Sequence, residues 1–315
     1  MNRIIKKIQS KLAKKEDILS ELRDLSNSEL NSFLLELFRL KSQDITPSEL
    51  LNQFRNNRFV SPADIDIVKI KEIEIEWLKY AAENNFKTIN LSPLAPFGSC
   101  SAVGLVNQNN VVSALRGTEI VSDATNILAL KIANDSKETT DKRSIIRYST
   151  THRHVRGQYF TNPAFSAHFS VFCLASGGFD TGNYEFEISQ LNEHIRILLN
   201  LLSRRFKDDQ LFIKFYLKEN SERLHSLLKN KQDLLFRTDK EILLKKDLDS
   251  KYYQAVQFKI GIKKDNQEID LADGGDVSWT QKLLGNKKHR LFISGIGLDL
   301  MEKIYKSNTG HSRLN

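Results

Sequence analysis

Two cysteines in 315 residues exclude a disulfide framework. Cys100 and Cys173 form no Cys-x-x-Cys pair and sit among small or apolar residues, the setting of reduced, buried thiols in an intracellular protein. No apolar run is long enough to span a bilayer. The N-terminal stretch MNRIIKKIQSKLAKK is basic and amphipathic, but no apolar segment follows it, so it does not read as a signal peptide. A cytoplasmic location is the expectation. The five prolines all fall by residue 163, which leaves Gly, Asn and Asp to mark the turns of the second half. Repeats and low-complexity tracts are absent, as are a Gly-x-Ser-x-Gly elbow, a Walker-type loop and a Cys–His motif. A serine or cysteine nucleophile therefore has no support.

What is present suffices for a sizeable core: the chain is 40% hydrophobic with 18 Phe, and it has room for one large domain and an accessory one. The formal charge of +8 suits a polyanionic partner such as RNA or a nucleotide, and equally suits a basic surface that keeps the chain dissolved.

Residues 1–60 are polar and read as helices. Ile4, Ile5, Ile8 and Leu12 share one helical face. SNSELNSFLLELFRL opens on Ser and Asn caps with Glu29 in its first turn. ITPSELLNQFRNNRFV carries Thr46 as a cap, Pro47 at the first helical position and Glu49 three residues after the cap. These signals predict a helical appendage over 1–60 whose first helix packs on its neighbours.

A second region, 61–315, opens with a helix through KIKEIEIEWLKYAAENN. A strand, FKTINLSPLAPFG, is halted by Pro93 and Pro96; NNVVSAL is a further strand, and SDATNILALKIAND a helix capped by Ser122-Asp123. Two β-rich runs, 144–151 and 165–175, flank a polar loop as in an antiparallel hairpin. After the helix YEFEISQLNEHIRILLNLLSRRF, residues 207–250 read as a subsidiary inserted module containing the strand QLFIKFYL. YYQAVQFKIGIK, QEIDLAD and HRLFISGIG read as strands, with VSWTQKLL a short helix and a last helix closing the region. Hairpins and long excursions between strands, in place of regular βα alternation, predict an α+β fold: a mixed, mainly antiparallel sheet flanked by helices.

Arg147, Thr151, His152, Arg153, His154, Arg156 and Gln158 crowd the predicted hairpin, and His168 follows on its second run. A guanidinium fork bonds two oxygens at once and keeps its charge, so the cluster points to a phosphate-bearing ligand; the other reading is a solvated loop. His152-x-His154 would set two rings on one strand face with His168 returning opposite as a third, but no clear carboxylate or thiolate fourth ligand follows and no metal site is predicted. LRGTEIVSD supplies Arg116, Thr118, Glu119 and Asp123, with Glu119 placed to hold an ammonium group or to pair at the next helix. DLADGGD sets Asp270, Asp273 and Asp276 around Gly274-Gly275, either to bind Mg²⁺ or an amino group or to make a tight turn. RLFISGIGLDLMEKI joins a strand to a helix through Gly295-x-Gly297, without the third glycine and βαβ unit of a dinucleotide fingerprint.

Taken in order, these pieces resemble the class II aminoacyl-tRNA synthetase core over about residues 61–315. That family's first motif is a long helix leading to a strand that ends at a proline; IKEIEIEWLKYAAENNFKTINLSP is similar, with Pro93 in the proline's place. VVSALRGTEIVSDATNILALKIA resembles the family's Thr/Glu-bearing stretch before a helix. The second motif is a hairpin whose arginine grips the α-phosphate. IIRYSTTHRHVRGQYFTNPAFSAHFSVF is similar, with Arg147 at that arginine and Phe165 near the second-strand aromatic. The third motif is a strand, Gly-x-Gly-x-Asp/Glu-Arg and a helix; LFISGIGLDLMEKI resembles it, with Gly295, Gly297 and Asp299 in register. Two positions depart. Leu300 stands where the third motif has its arginine, and Ser149 where the second has its glutamate. The missing arginine stacks on adenine and reaches the γ-phosphate in the family, so its loss bears on ATP.

The resemblance implies ATP and Mg²⁺ as cofactors, a small carboxylate such as an amino acid as substrate, RNA or tRNA as partner, no membrane partner, and a homodimer. It makes Arg147 catalytic. It gives Arg153, Arg156, Gln158, Phe165, Gly295, Gly297 and Asp299 to the nucleotide, and Arg116, Glu119, Asp270 and Asp273 to the substrate. Two functions follow. One is an adenylate-forming ligase; the other is a non-catalytic descendant that binds RNA, nucleotide or amino acid and regulates a partner, as a histidyl-synthetase-like subunit regulates ATP phosphoribosyltransferase. Leu300 and Ser149 favour the second and the crowded hairpin the first. A plain α+β protein with a structural glycine turn is the third reading.

Overall fold

The computed structural model describes residues 3–12, 17–139, 141, 144–159, 166–207, 210–218, 223, 224, 226–228, 241–245, 252–264 and 267–308. Four helices come first: α1 (Arg3–Lys11), α2 (Ile18–Asp24), α3 (Asn27–Gln43) and α4 (Pro47–Asn56). The predicted caps form. Ser26 and Glu29 make a capping box at α3, and Thr46 and Glu49 make another at α4, with Pro47 in the first turn. Among the described residues none of the four helices has a buried residue, including α1, which the sequence predicts to pack on its neighbours. Ile4, Leu12, Phe33, Phe38, Leu50 and Phe54 stay exposed. The described ties to the rest of the chain are polar: Gly117 N donates to Asn31 Oδ1 at 3.2 Å, and Arg58, just past α4, reaches Gly157 and Gln158. Deleting residues 1–56 is therefore expected to move the thermal midpoint of the remainder by less than about 4 °C in a calorimetric scan, the equivalent of about 1 kcal/mol.

The core is built on an eight-stranded sheet in the order β1-β4-β5-β10-β9-β8-β6-β7. Its strands are β1 (Lys87–Thr88), β4 (Ile146–Val155), β5 (His168–Phe179), β6 (Leu211–Leu217), β7 (Glu241–Lys245), β8 (Val256–Lys264), β9 (Gln267–Val277) and β10 (His289–Gly297). The six central strands pair antiparallel, while β1 and β7 add parallel edges. The mixed, mainly antiparallel sheet expected from the sequence is what forms. A small second sheet pairs β2 (Leu94–Pro96) with β3 (Thr118–Ile120). The predicted strand NNVVSAL reduces to one bridge, Ser113 to Glu119. β6 and β7, from the segment 207–250, both join the main sheet; most of the residues between them lie outside the described ones.

Both faces of the sheet are covered. On one, α5 (Ile67–Glu83), α7 (Glu185–Ser203) and α9 (Leu298–Asn308) enclose Ile70, Trp77, Phe172, Leu198, Phe258 and Phe292. On the other, α6 (Ala124–Glu138) and α8 (Trp279–Leu284) pack with Leu128, Ile132, Cys173, Ala175, Trp279 and Ile293. α6 lies close on β5 because Gly177 leaves room for Ile132.

Two strands run further than expected. β4 continues past the expected end at Thr151 to Val155, paired without a break from Ile146↔Gly177 to Val155↔His168, so His152, Arg153 and His154 belong to the strand and not to a loop. Thr, His and Val fit a pleated, half-buried surface, and the ladder extends through them. β9 runs straight through Asp273-Gly274-Gly275-Asp276, so the predicted glycine turn does not exist. Gly274 faces Ser294 and Phe258 across the ladders, where a Cβ would come within 2.5 Å of Ile293 O and 2.6 Å of the Phe258 ring. Those glycines are there for strand packing.

Candidate functional site

Strand parity decides what faces what. On β4, Tyr148 and His154 point to the α6 face, while Arg147 and Arg153 point to the face under α7 and α9. A cavity of about 580 Å³ opens on the α6 face, at the N-terminal end of that helix. Its floor is Cys173 on β5 and Ile293, Gly295 and Gly297 on β10. Its walls carry His154, Arg156, Phe169, Asp123, Tyr252, Tyr253, Lys259, Asp270 and Asp273.

Arg156 lies just past β4. Its backbone N donates to Ala167 O at 2.8 Å and its Nε to Ser122 O at 3.3 Å, while its guanidinium sits 5.2 Å from the Phe169 ring centre. Neither Nη finds a hydrogen-bond partner among the described residues, and no carboxylate pairs with it there. Lys259, the other cation of the wall, is committed: its Nζ donates to Asp270 at 2.7 Å. The same carboxylate lies 3.5 Å from Lys214.

The carboxylates are held by tyrosines and by the helix end. Tyr252 donates to Asp123 Oδ2 at 3.1 Å and Tyr253 to Asp273 Oδ2 at 2.7 Å. Asp123 caps α6, its Oδ1 accepting from Thr125 N at 2.9 Å and Thr125 Oγ1 at 2.6 Å. Solvent reaches Asp273 through the cavity mouth, yet protein surrounds it. That enclosure raises its carboxyl above the ordinary range, and Asp123 adds to the rise while Tyr253, Lys259 and Arg156 oppose it. Burial and the adjoining carboxylates push both tyrosine hydroxyls well above their usual range, so they remain donors.

His154 is fully enclosed. Its Nε2 accepts from Ala124 N at 3.0 Å, which places the ring proton on Nδ1, and Nδ1 has no partner among the described residues. Desolvation holds its pKa down at about 3. Cys100 donates to Asn126 Oδ1 at 3.0 Å beside Ser122, and burial pushes its thiol up to about 11. Cys173 shifts in the same direction for the same reason. Both thiols are protonated, non-nucleophilic parts of the lining.

No protein-family model and no curated protein matches this sequence. Solved structures do. The chain is similar to apo histidyl-tRNA synthetase of S. aureus, with a TM-score of 0.58 and 12% identity over 81% of this chain and 70% of that one. It is similar to an ATP phosphoribosyltransferase regulatory subunit/histidyl-tRNA synthetase from Bacillus halodurans, with a TM-score of 0.56 and 13% identity over 78% and 82%. Pyrrolysyl-tRNA synthetase from Desulfitobacterium hafniense gives 0.51 and 14% over 88% and 80%. The fold is that of the class II aminoacyl-tRNA synthetase core.

Within that core the expected site divides. Arg156, Gln158, Asp270, Asp273, Gly295 and Gly297 line one cavity. Arg147 does not: its Nε donates to Glu193 of α7 at 2.8 Å, on the opposite face of the sheet. Arg153 is on that face too, donating to His168 Nδ1 at 2.8 Å and pairing with Asp299 at 3.4 Å. Asp299 also accepts from Ser170 N at 3.0 Å, so it ties α9 to β5 and is absent from the lining. Glu119 is buried away from the cavity, with both oxygens occupied by Gly98 N, Cys100 N and Gln108 Nε2. Arg116 sits in an exposed turn with a φ of 64°, and Phe165 lies outside the described residues. Leu300, where the third motif has arginine, packs against the hydrophobic core.

The sequence reading passed over Tyr252, Tyr253, Gln257 and Lys259 as site residues. Their signal is present in VQFKI, where Gln257 and Lys259 alternate with the buried Phe258 and Ile260. Polar residues on one face of a strand whose other face is core mark a lined cavity.

Proposed function

We propose that the chain is a small-molecule-binding member of the class II synthetase-like fold. Its cavity takes an amino acid or comparable zwitterion, and it acts without triphosphate chemistry. The observation that carries this reading is the charge of the lining: Arg156 is its one cation without a carboxylate partner among the described residues, against Asp123, Asp270 and Asp273. A single guanidinium stacked on Phe169 suits one anionic group, a carboxylate or one phosphate. The carboxylates beside Tyr252 and Tyr253 suit an ammonium group.

ATP with Mg²⁺ fits these residues poorly. Arg147 and Arg153 are neutralised on the other face, Leu300 supplies no charge, and residues 160–165, FTNPAF, contain no charged side chain. Among the described residues an adenylate-forming ligase therefore has one unpaired arginine in the cavity for a group carrying about four negative charges. Regulation of a partner, and RNA as that partner, remain parts of the non-catalytic reading; the histidyl-type regulatory subunit among the structural neighbours and the charge of +8 support them.

Calorimetry over the twenty amino acids, AMP and ATP·Mg²⁺ tests the proposal. At least one amino acid or AMP is expected to bind, and Arg156→Ala to weaken that binding about 100-fold, from loss of charge-assisted bonds of about 1.5–3 kcal/mol. ATP·Mg²⁺ binding with amino-acid-dependent pyrophosphate exchange would overturn it in favour of the ligase.

A further inference from the structure

Arg58 belongs to the segment that joins the N-terminal helices to the core, yet its guanidinium is spent on the loop that carries Arg156. Nη2 donates to Gly157 O at 2.5 Å and Nη1 to Gln158 O at 3.1 Å. The same guanidinium lies 4.3 Å from the Phe59 ring centre and 5.7 Å from that of Tyr159. Among the described residues no carboxylate pairs with Arg58. A planar fork bonding two successive carbonyls between two rings fixes the path of the chain at both residues, which a single ammonium cannot do.

Among the described residues the loop has three other anchors, all from the core. Arg156 N donates to Ala167 O at 2.8 Å, Arg156 Nε to Ser122 O at 3.3 Å, and Gly157 N to Asn110 O at 2.8 Å. Gly157 has no space on its Asn110 side, where a Cβ would lie 3.0 Å from Asn109 O. The loop is thus held between the Asn109–Asn110 backbone on one side and Arg58 on the other. Three residues past Arg58, Ser61 O accepts from His168 Nε2 at 2.7 Å, and His168 Nδ1 accepts from Arg153 Nε at 2.8 Å. The linker is therefore tied to the loop past β4 through Arg58 and to the start of β5 through Ser61 and His168, whose ring lies with Arg153 on the face opposite the cavity.

We infer that Arg58 is a positioning residue: it holds the 156–158 loop so that the Nη groups of Arg156, which have no hydrogen-bond partner among the described residues, face an incoming anion, and it makes anion affinity depend on the seating of the N-terminal linker. The inference rests on the proposed role of Arg156. It differs from an ordinary structural contact because its loss alters anion binding at unchanged global stability.

The test uses the full chain and phenylglyoxal, which modifies accessible arginines, with inorganic phosphate as the probe anion and peptide mass mapping at Arg156. In the wild type, phosphate is expected to slow modification of Arg156. In Arg58→Ala the phosphate needed for half protection is expected to rise about tenfold, since small misplacement of a binding group costs one to two orders of magnitude. Arg58→Lys, with one point donor for two carbonyls, is expected to fall between them. Asn31→Ala, which frees α3 from Gly117 and leaves the loop alone, is expected to match the wild type. Thermal midpoints and near-ultraviolet circular dichroism check that all variants fold. Failure of phosphate to protect the wild type would sink the role given to Arg156. Protection there with the same midpoint in Arg58→Ala would sink the positioning role alone. An equal shift in Asn31→Ala would do so too, by showing that any loosening of the helices suffices.

Discussion

Between pH 6.5 and pH 5 the folded chain is expected to lose about 2 kcal/mol of stability. Two histidines drive the loss. His154 and His194 are fully buried and neutral, each with a pKa pushed down to about 3, chiefly by desolvation. His194 lies between two hydroxyls, Ser176 Oγ at 2.9 Å from Nε2 and Ser294 Oγ at 2.8 Å from Nδ1, with Phe86 and Phe292 edge-on to its ring. The unfolded chain takes up protons at these rings as pH falls through 6.5, and the folded chain does not. Each therefore costs about 1.4 kcal/mol per pH unit until about pH 3. Asp276 works in the opposite direction. Burial raises its pKa from 3.8 to about 6, so its contribution to stability is present at low pH and lost as pH rises through 6. Asp273 and Glu187 shift the same way. Below pH 6 these carboxyls offset roughly half of the histidine loss.

Urea titrations at pH 7.5, 6.5, 5.5 and 5.0 measure this. His194→Asn is expected to be less stable at neutral pH, with one serine left unpaired, but to have a pH slope smaller by about one proton. A flat wild-type profile between pH 6.5 and 5 would show that these rings titrate as freely in the fold as outside it.

How much of this was legible depends on which signal each residue sends. Ser26 with Glu29, and Thr46 with Pro47 and Glu49, fixed helix starts because capping is local chemistry. The sheet class followed from turn spacing. The facing of Arg147, Arg153 and Arg156 was not readable. β5 is apolar or small on both faces, since helices cover both, so its neighbour β4 gains no inside-or-outside label from the pattern. Arg147 and Arg153 are six residues apart and share a face; Arg156 is three from Arg153 and goes to the other. Naming Arg147 from the order of motifs put the charge under α7, where Glu193 takes it. Glu119 failed for a different reason. Its carboxylate closes the π-helical turn Ser99–Val103 by accepting two backbone N–H groups, a need that only the folded loop creates.

The glycines separate packing from ligand space, and two substitutions are expected to behave in opposite ways. Gly275→Ala should destabilise the chain by about 3 kcal/mol, at the upper end of ordinary overpacking. Its Cβ would run into Val256 O across the β8–β9 ladder and lie 2.6 Å from Tyr253 Cδ1, so strand and ring must both give way. Tyr253 is the residue that holds Asp273, so the same change disturbs the wall. Gly295→Ala should leave the fold intact within about 1 kcal/mol, because an alanine costs a strand nothing where space exists. There the Cβ meets Val171 Cγ1 at 3.4 Å, Phe172 O at 3.6 Å and Cys173 Sγ at 3.7 Å, all ordinary contacts. What it fills is the cavity floor, and Gly297 beside it is more open still, with Leu300 Cβ 4.0 Å away. Gly295→Val and Gly297→Val are therefore expected to fold and to lose at least tenfold in affinity for whichever amino acid or nucleotide binds the wild type. Parallel urea unfolding and calorimetric titration separate the two effects. A stable Gly295→Val that binds as the wild type does would mean that the ligand never reaches the floor of the cavity, and that the glycine pair serves only the passage from β10 into α9.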